Sequence, residues 1–307
     1  MHAICDRCRC AVAGDYKMPC YKPLKARRTA DGISFDPAKG FADIEVPCGQ
    51  CIGCRLDKAK EWSIRCLHES QKYDHNLFLT LTYSDEKIPA YHSLVKEDFQ
   101  KFMKRLRKAT GLKLRYYACG EYGDQTHRPH YHAIVFNLWF KDMTLYKDSE
   151  SGHPILESET LDKIWKNGKC YIGNVTMDSA GYVARYILKK QTGKNADYIG
   201  THHFCPITGE MHEIEPEFAL MSRNPGIGHD WITDFKEDVF PRDYIVVDNS
   251  KHKVPRYYTE KLDEKEKHKV KSKRAVKVMQ HKDELTPERL EIKEFIQHKR
   301  AELLTRS

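Results

Sequence analysis

The chain has 307 residues, 31% of them charged, and a mean hydropathy of -0.70, so it can form one large domain or two smaller ones with much solvated surface. Lysine and arginine total 52 against 44 aspartate and glutamate, and the resulting net charge of +8 suits a polyanionic partner without identifying one. No run of 18 apolar residues occurs, which excludes a membrane-spanning helix, and the first residues form no secretory signal. We therefore expect a protein that is not secreted, whose 11 cysteines are thiols or metal ligands.

Residues 1–60 form a cysteine-rich N-terminal segment with little periodicity. Three cysteines follow one another at Cys-x-x-Cys spacing and others lie upstream, whereas a tetrahedral Zn²⁺ site needs four ligands. The simplest set of four is Cys20, Cys48, Cys51 and Cys54, with Cys5 and Cys8 as competitors. A structural zinc ion would explain how a segment with little core folds. The alternative is a group of reduced, partly buried thiols.

Hydrophobic periodicity predicts the first regular elements after this segment. They are a helix over residues 58–72, a strand over 76–83, a helix over 95–108, and strands over 112–121 and 128–138. The order strand, helix, strand, strand is the opening of a ferredoxin-like layout. We therefore predict an α+β fold in which helices pack on an antiparallel sheet.

The second half of the chain is less regular. Residues 141–160 are predicted as loop, 171–177 as a strand, 178–190 as a helix and 202–241 as a turn-rich mixture. After Asp248 the composition shifts to lysine, glutamate and histidine, which predicts a charged tail that is either a solvated helix or disordered. The predicted domains are the segment 1–60, a central domain over 61–245 and the tail over 246–307.

The strand Arg128–Phe136 carries a His-Tyr-His sequence. Residues two apart on a strand point to the same face, so His130 and His132 project side by side and can share one metal ion. Glu121 ends the preceding strand and is the candidate third ligand. Two imidazoles and one carboxylate accept Mg²⁺ or Mn²⁺, and Zn²⁺ would also bind in vitro. The alternative is two polar residues on a solvated face.

The helix predicted over residues 178–190 groups two phenols and two cations. At about 100° per residue, one sector of the helix holds Tyr182, Arg185, Tyr186 and Lys189, and the opposite side, with Val183 and Ala184, can pack on the sheet. A tyrosine oxygen can attack a phosphodiester, and a neighbouring cation favours the phenolate. The alternative is two interfacial tyrosines with ordinary surface cations.

Three motifs together resemble a known family. They are Phe-Leu-Thr-Leu-Thr-Tyr at Phe78–Tyr83, Pro-His-Tyr-His at Pro129–His132, and Tyr-Val-Ala-Arg-Tyr at Tyr182–Tyr186 followed by two lysines. This order is similar to the signature of HUH endonucleases, in particular the replication initiation proteins of the Microviridae of the gokushovirus type. Two further segments resemble that group, Pro47–Arg55 and Met221–Gly228, and the resemblance extends over roughly residues 18–230.

The resemblance implies a rolling-circle initiator that nicks single-stranded DNA at the origin, forms a 5′-phosphotyrosine and re-joins the strand. It assigns His130 and His132, with Glu121, to the metal, and Tyr182 and Tyr186 to nucleophilic attack. Lys189 would assist the tyrosines, and Arg185 and Lys190 would contact DNA. The implied HUH endonuclease fold is the antiparallel sheet with helices predicted above.

The implied partners are single-stranded and supercoiled replicative-form DNA with host helicase and polymerase, in the cytoplasm of a bacterial host. No Gly-x-x-x-x-Gly-Lys-Ser/Thr loop occurs, so no nucleotide cofactor is expected. Tyr83 and Tyr131 are candidates for stacking on bases, with core packing as the alternative. Two other functions stay open: a plasmid or transposon initiator or relaxase of the same chemistry, and a zinc-stabilised nucleic-acid-binding protein without catalysis.

Overall fold

A computed structural model describes residues 20–30, 32–123, 126–149, 152–189, 202–204 and 209–304, with the side chains of residues 39, 185–189, 202–204 and 303–304 left aside. The chain divides into two compact units, Met1–Asp57 with Glu237–Ser307, and Lys58–Lys236. The division into three domains at residues 60 and 245 stays a prediction. Within the described ranges, no helix combines the length and the apolar character that crossing a membrane requires.

The described elements follow one another along the chain as strands and helices of ordinary length. The strands are β1 (Leu24–Thr29), β2 (Gly32–Ser34), β3 (Ile44–Val46), β4 (Asn76–Thr82), β5 (Arg115–Tyr122), β6 (Pro129–Phe136), β7 (Thr144–Asp148), β8 (Pro154–Glu157), β9 (Cys170–Asn174), β10 (His202–Phe204), β11 (Met211–Glu213), β12 (Phe218–Met221), β13 (Tyr244–Val247) and β14 (Ser250–Lys253). The helices are α1 (Ile52–Ser70), α2 (Lys96–Thr110), α3 (Glu159–Trp165), α4 (Met177–Lys189), α5 (His229–Val239), α6 (Arg256–Thr259), α7 (Glu264–Gln280) and α8 (Pro287–Leu304).

The unit Lys58–Lys236 is built on a seven-stranded sheet with the order β12-β5-β6-β4-β9-β8-β7. Its neighbouring strands pair antiparallel throughout, which confirms the predicted α+β fold with an antiparallel sheet. The loop predicted over residues 141–160 is wrong, because β7 and β8 lie there. All five residues of β7 are exposed, so this edge strand lacks the apolar alternation by which a strand is detected.

Each face of the central sheet has its own hydrophobic core. On one face, Leu77, Leu79 and Leu81 of β4 pack in a cluster that includes Phe99 and Phe102 of α2. On the other face, buried residues of β5 and β6 share a cluster with α1 and α4. The members from α4 are Ala180, Val183 and Ala184, each 0% exposed. The helix therefore packs on the sheet through the side that contains Val183 and Ala184, as predicted.

The segment Met221–Gly228 is held by buried charges of α1 and β5. Arg115 and Glu69 form a buried ion pair, and Glu69 Oε2 accepts a hydrogen bond of 2.7 Å from the backbone N–H of Gly228. Arg115 also donates to the carbonyl oxygen of Pro225 at 2.9 Å, and Arg65 donates to that of Ile227 at 3.0 Å. Because removing either member of a buried pair leaves a charge without compensation, we attribute a structural role to this segment.

A buried histidine of α1 gives a testable pH dependence. His68 is 2% exposed and stacks on Trp231 with ring centroids 3.5 Å apart, and burial lowers its pKa to about 3. The unfolded chain therefore takes up a proton below about pH 6.5 that the folded chain refuses, so stability falls as pH falls through this range. We expect the wild type to lose about 1.4 kcal/mol more than His68→Phe between pH 7.5 and 5.5. Urea unfolding of both proteins at the two pH values measures this difference, and equal losses would contradict it.

The unit formed by Met1–Asp57 and Glu237–Ser307 contains the small sheet β2-β1-β3 and the hairpin β13-β14. Its charged C-terminal part is helical, which matches one of the two predicted alternatives. Helix α7 begins with a capping box in which Asp263 and Glu266 each accept the other's backbone N–H. Leu290 of α8 is buried against Tyr21 and Cys51, so the helical tail packs on the cysteine-bearing segment.

Candidate metal and tyrosine site

Three side chains from neighbouring strands converge on one face of the central sheet. Glu121 of β5 is paired directly with His130 of β6, and His132 lies two residues further along the same strand. Oε1 of Glu121 lies 2.7 Å from Nε2 of His130 and 2.9 Å from Nε2 of His132. The register of β5 and β6 thus brings together the three residues that the sequence predicted as metal ligands.

Hydrogen bonds behind the imidazoles fix which nitrogen faces the site. Nδ1 of His130 lies 3.0 Å from the carbonyl oxygen of Arg128, which can only accept, so Nδ1 carries the proton. In the neutral ring Nε2 then presents its lone pair toward Glu121. Nδ1 of His132 lies 3.0 Å from the hydroxyl Oγ1 of Thr80 on β4. Such partners orient metal-binding histidines and raise their basicity.

The charges of the three groups influence one another strongly. Burial acts to raise the pKa of Glu121, but hydrogen bonds from both histidines outweigh it and leave that pKa below its ordinary value. Burial acts to lower the pKa of His130, yet the carboxylate of Glu121 outweighs burial and the pKa is raised. For His132 burial prevails and the pKa is lowered. A carboxylate and a neutral imidazole side by side provide the protonation states that metal binding requires.

The donor set fits a divalent metal ion. The three ligand atoms lie within 4.8 Å of one another. Oε2 of Glu121 is buried and has no hydrogen-bond partner in the described part of the chain, a cost that a bound cation would remove. Mixed nitrogen and oxygen donors accept Mg²⁺, Mn²⁺ or Zn²⁺, so the geometry supports a metal without selecting one.

Tyr182 on α4 reaches this group from above the sheet. Its hydroxyl donates a hydrogen bond of 3.3 Å to Oε1 of Glu121, and its ring meets the ring of His132 edge-on, with centroids 4.9 Å apart. The side chain is half-buried, so the phenol is accessible at the rim of the site. The helix backbone continues to Lys189, but the side chains of Arg185, Tyr186 and Lys189, and all of Lys190, lie outside the described residues.

Two site residues were not predicted from the sequence. Thr80 supports His132 as described above, and Phe78 stacks on His132 with centroids 5.5 Å apart. Both lie on β4, where Thr80 pairs with His132 and Thr82 with His130. The alternation of polar residues in Phe-Leu-Thr-Leu-Thr was the available signal, because it places the threonines on the face opposite the buried leucines.

Tyr83 and Tyr131 belong to the core rather than to a base-stacking surface. Tyr131 is 0% and Tyr83 5% exposed, and their hydroxyl oxygens are hydrogen bonded at 2.8 Å. Both rings pack in the cluster on the face of the sheet opposite His130 and His132. The core alternative is therefore confirmed for both residues.

Comparison with known proteins gives the family. A family model of replication-associated proteins, described under the protein name ORF2, matches residues 76–191. The "Replication-associated protein VP4" of Bdellovibrio phage phiMH2K is 38% identical over 291 residues, which are 87% of this chain and 87% of that protein. The chain belongs to the phage replication-associated proteins of the Microviridae type.

Two further replication-associated proteins are similar to this one. The ORF2 protein of Spiroplasma virus 4 is 33% identical over 274 residues, covering 80% of this chain and 81% of that protein. The ORF4 protein of Chlamydia phage 1 is 26% identical over 255 residues, covering 78% of this chain and 59% of that protein. No solved structure matches the chain. The three converging ligands and Tyr182 all fall within the part that the family model matches.

This replication-associated protein has a second group that can hold a metal, in the unit Met1–Asp57 with Glu237–Ser307. The Sγ atoms of its four cysteines lie within 4.8 Å of one another, and the group consists of Cys20, Cys48, Cys51 and Cys54. The Sγ atoms of Cys20 and Cys51 are 4.0 Å apart, close to the separation of about 3.8 Å between sulfur ligands of a tetrahedral zinc ion. The cysteines are free thiols in this structure.

Backbone N–H groups surround these sulfur atoms. Cys48 donates its N–H to the sulfur of Cys20 at 3.1 Å, and Tyr21 donates to that of Cys51 at 3.3 Å. Burial acts to raise the pKa of Cys51, but these N–H groups and the neighbouring thiols outweigh it and lower the pKa to about 7. A thiolate is therefore accessible near neutral pH, as zinc ligation requires.

Proposed function

We propose that this protein is a metal-dependent HUH endonuclease that initiates rolling-circle replication by nicking single-stranded DNA at the origin. The observation that carries the proposal is the hydrogen bond from the Tyr182 hydroxyl to Glu121, which brings a nucleophile to the candidate metal ligands. A non-catalytic zinc-stabilised binding protein would have no use for this convergence. A plasmid or transposon initiator of the same chemistry is disfavoured by the phage relatives.

The proposed nick is a transesterification. The Tyr182 oxygen attacks the scissile phosphorus, a new phosphorus–oxygen bond forms, and the bond to the 3′ oxygen breaks. The phenol loses its proton and the departing 3′ oxygen gains one, which leaves a 3′-OH primer and a 5′-phosphotyrosine. The hydrogen bond to Glu121 orients the phenol for this attack. Glu121, His130 and His132 would hold Mg²⁺ or Mn²⁺, which supplies positive charge to the phosphate oxygens.

Re-joining requires a second nucleophile, for which we propose Tyr186. It follows Tyr182 by four positions on α4, about one helical turn, so both can serve one site. In this proposal Lys189 favours the phenolate, and Arg185 and Lys190 contact DNA phosphates. The substrates are single-stranded and supercoiled replicative-form DNA, and host helicase and polymerase act on the nicked product in the host cytoplasm.

The test is the covalent product. The protein is incubated with the supercoiled and single-stranded DNA of its phage and Mn²⁺, and the products are separated under denaturing conditions. We expect nicked circles and a protein–DNA adduct that survives denaturation and disappears with EDTA. If DNA is bound but no adduct forms with Mg²⁺, Mn²⁺ or Zn²⁺, the function without catalysis is favoured instead.

For the cysteine group we propose a structural zinc site formed by Cys20, Cys48, Cys51 and Cys54. Replacing Cys51 by serine should remove a thiolate ligand, lower the zinc content from about one ion per chain to near zero and destabilise this unit by several kcal/mol. Metal analysis and thermal unfolding measure both effects. Cys170→Ser, which changes a buried thiol of the central sheet, is the control that should keep its zinc. Equal zinc contents in Cys51→Ser and the wild type would contradict the site.

A further inference from the structure

The face of the sheet that carries the histidines continues across β4 onto β9. Thr80 is paired with His132 on one side and with Tyr171 on the other. Directly paired residues of antiparallel strands project from the same face, so His132, Thr80 and Tyr171 form one row. Two such pairs place Tyr171 about 10 Å from His132 along the row.

A second tyrosine extends this row to the edge of the sheet. The ring of Tyr146 on β7 lies 5.1 Å from that of Tyr171 between centroids. Tyr146 is 49% exposed and Tyr171 is half-buried, so both rings present aromatic surface to solvent. The ammonium group of Lys147 lies 5.8 Å from the centre of the Tyr146 ring. We call Tyr146 and Tyr171 the tyrosine pair.

We propose that the tyrosine pair is a stacking surface for bases of the single strand on one side of the scissile phosphate. The inference rests on the proposed function, since a strand bound at the metal ligands must continue across the sheet. At a stacked spacing of about 3.4 Å, the row leads from His132 to Tyr171 over about three nucleotides. Aromatic rings bind bases of any identity, which suits DNA beside a cut.

The charges on this face favour stacking over phosphate contact as the source of affinity. Glu157 on β8 follows Leu156, which pairs with the buried Ile172, so Glu157 and Tyr171 share a face. Lys169, just before Tyr171, is paired with Asp162 at 2.8 Å. This region is therefore not uniformly basic, and its exposed rings are the groups best suited to hold a strand. Duplex DNA, whose bases are already stacked, should gain little from them.

The test measures binding without cleavage, so that it does not depend on the nicking chemistry. Affinity for a labelled oligothymidylate is measured in EDTA over a range of salt concentrations. Tyr146→Ala and Tyr171→Ala should each weaken binding about 5- to 140-fold, whereas Tyr146→Phe and Tyr171→Phe, which keep the ring, should stay within about twofold. Because no phosphate contact is removed, the slope of log Kd against log salt should stay unchanged.

Leu145→Ala is the matched control. Leu145 is 62% exposed on the same strand and pairs with Leu156, so it faces the other side of the sheet, and its loss should leave the affinity unchanged. Wild-type affinity in both alanine variants, or a loss that the phenylalanine variants share, would overturn the stacking surface. A shallower salt slope would assign phosphate contact instead and overturn it too. Adduct formation is scored separately: if it fails while the alanine variants still weaken binding, only the proposed function is lost.

Discussion

Replacing Tyr182 by phenylalanine should abolish formation of the 5′-phosphotyrosine adduct and slow nicking by at least about 1,000-fold, because the attacking oxygen is lost. The ring would remain, so its edge-on contact with His132 and the packing of α4 should persist. Binding of single-stranded DNA is expected to stay within a few-fold of the wild type. A denaturing gel with labelled DNA and Mn²⁺ measures the adduct, and mass spectrometry of the trapped peptide identifies the linked tyrosine.

Tyr91→Phe is a suitable control for this substitution, since Tyr91 is an exposed tyrosine of the same unit that stacks on His212. Tyr186→Phe shows whether the second tyrosine is needed for nicking or only for re-joining. A single-nick role for Tyr182 predicts that Tyr186→Phe still forms the adduct and fails to close the circle. A Tyr182→Phe/Tyr186→Phe protein that still forms the adduct would eliminate both as nucleophiles.

Replacing Glu121 by glutamine should remove both metal binding and nicking. The amide lacks the charge that attracts the cation, and removing one of three ligands is expected to weaken Mn²⁺ binding at least about 100-fold. In the wild type, Mn²⁺ at about 100 times its Kd should stabilise the fold by about 2.7 kcal/mol, and this gain should vanish in the variant. Calorimetric titration and thermal unfolding with and without Mn²⁺ measure the two effects.

Glu217→Gln provides the comparison for Glu121→Gln. Glu217 accepts a hydrogen bond from the backbone N–H of Tyr122 at 3.2 Å, next to Glu121 in the chain, but is not one of the converging ligands. It should retain Mn²⁺ binding and nicking. If Glu121→Gln binds Mn²⁺ as tightly as the wild type, or if both variants lose activity equally, the carboxylate of Glu121 is not a ligand.

Both metal-capable groups could be predicted from sequence because each is encoded over a short range. The two-residue period of a strand fixes His130 and His132 on one face whatever the rest of the fold, and a short turn returns the chain from Glu121 to His130. Cys48, Cys51 and Cys54 are similarly constrained by their spacing. In both cases local geometry decides which side chains meet.

The remaining features depend on contacts between distant parts of the chain. A helical wheel gives the angles between Tyr182 and its neighbours but not the position of the sheet, so it could not show that the Tyr182 hydroxyl reaches Glu121. Thr80 acquires its role only from the pairing of β4 with β6. The exposed strand β7 has no apolar period, so no local pattern indicated that Tyr146 would lie beside Tyr171.

The alternation along β6 has an evolutionary consequence. His130 and His132 point to the metal side, while Tyr131, Ala133 and Val135 between and after them fill the opposite core. Inserting one residue within this strand would exchange the two sets and lose catalysis and folding together. An insertion of two residues would preserve the parity of both faces. We therefore expect selection for active variants from a library of random insertions to recover even-numbered changes within this strand and to reject odd ones.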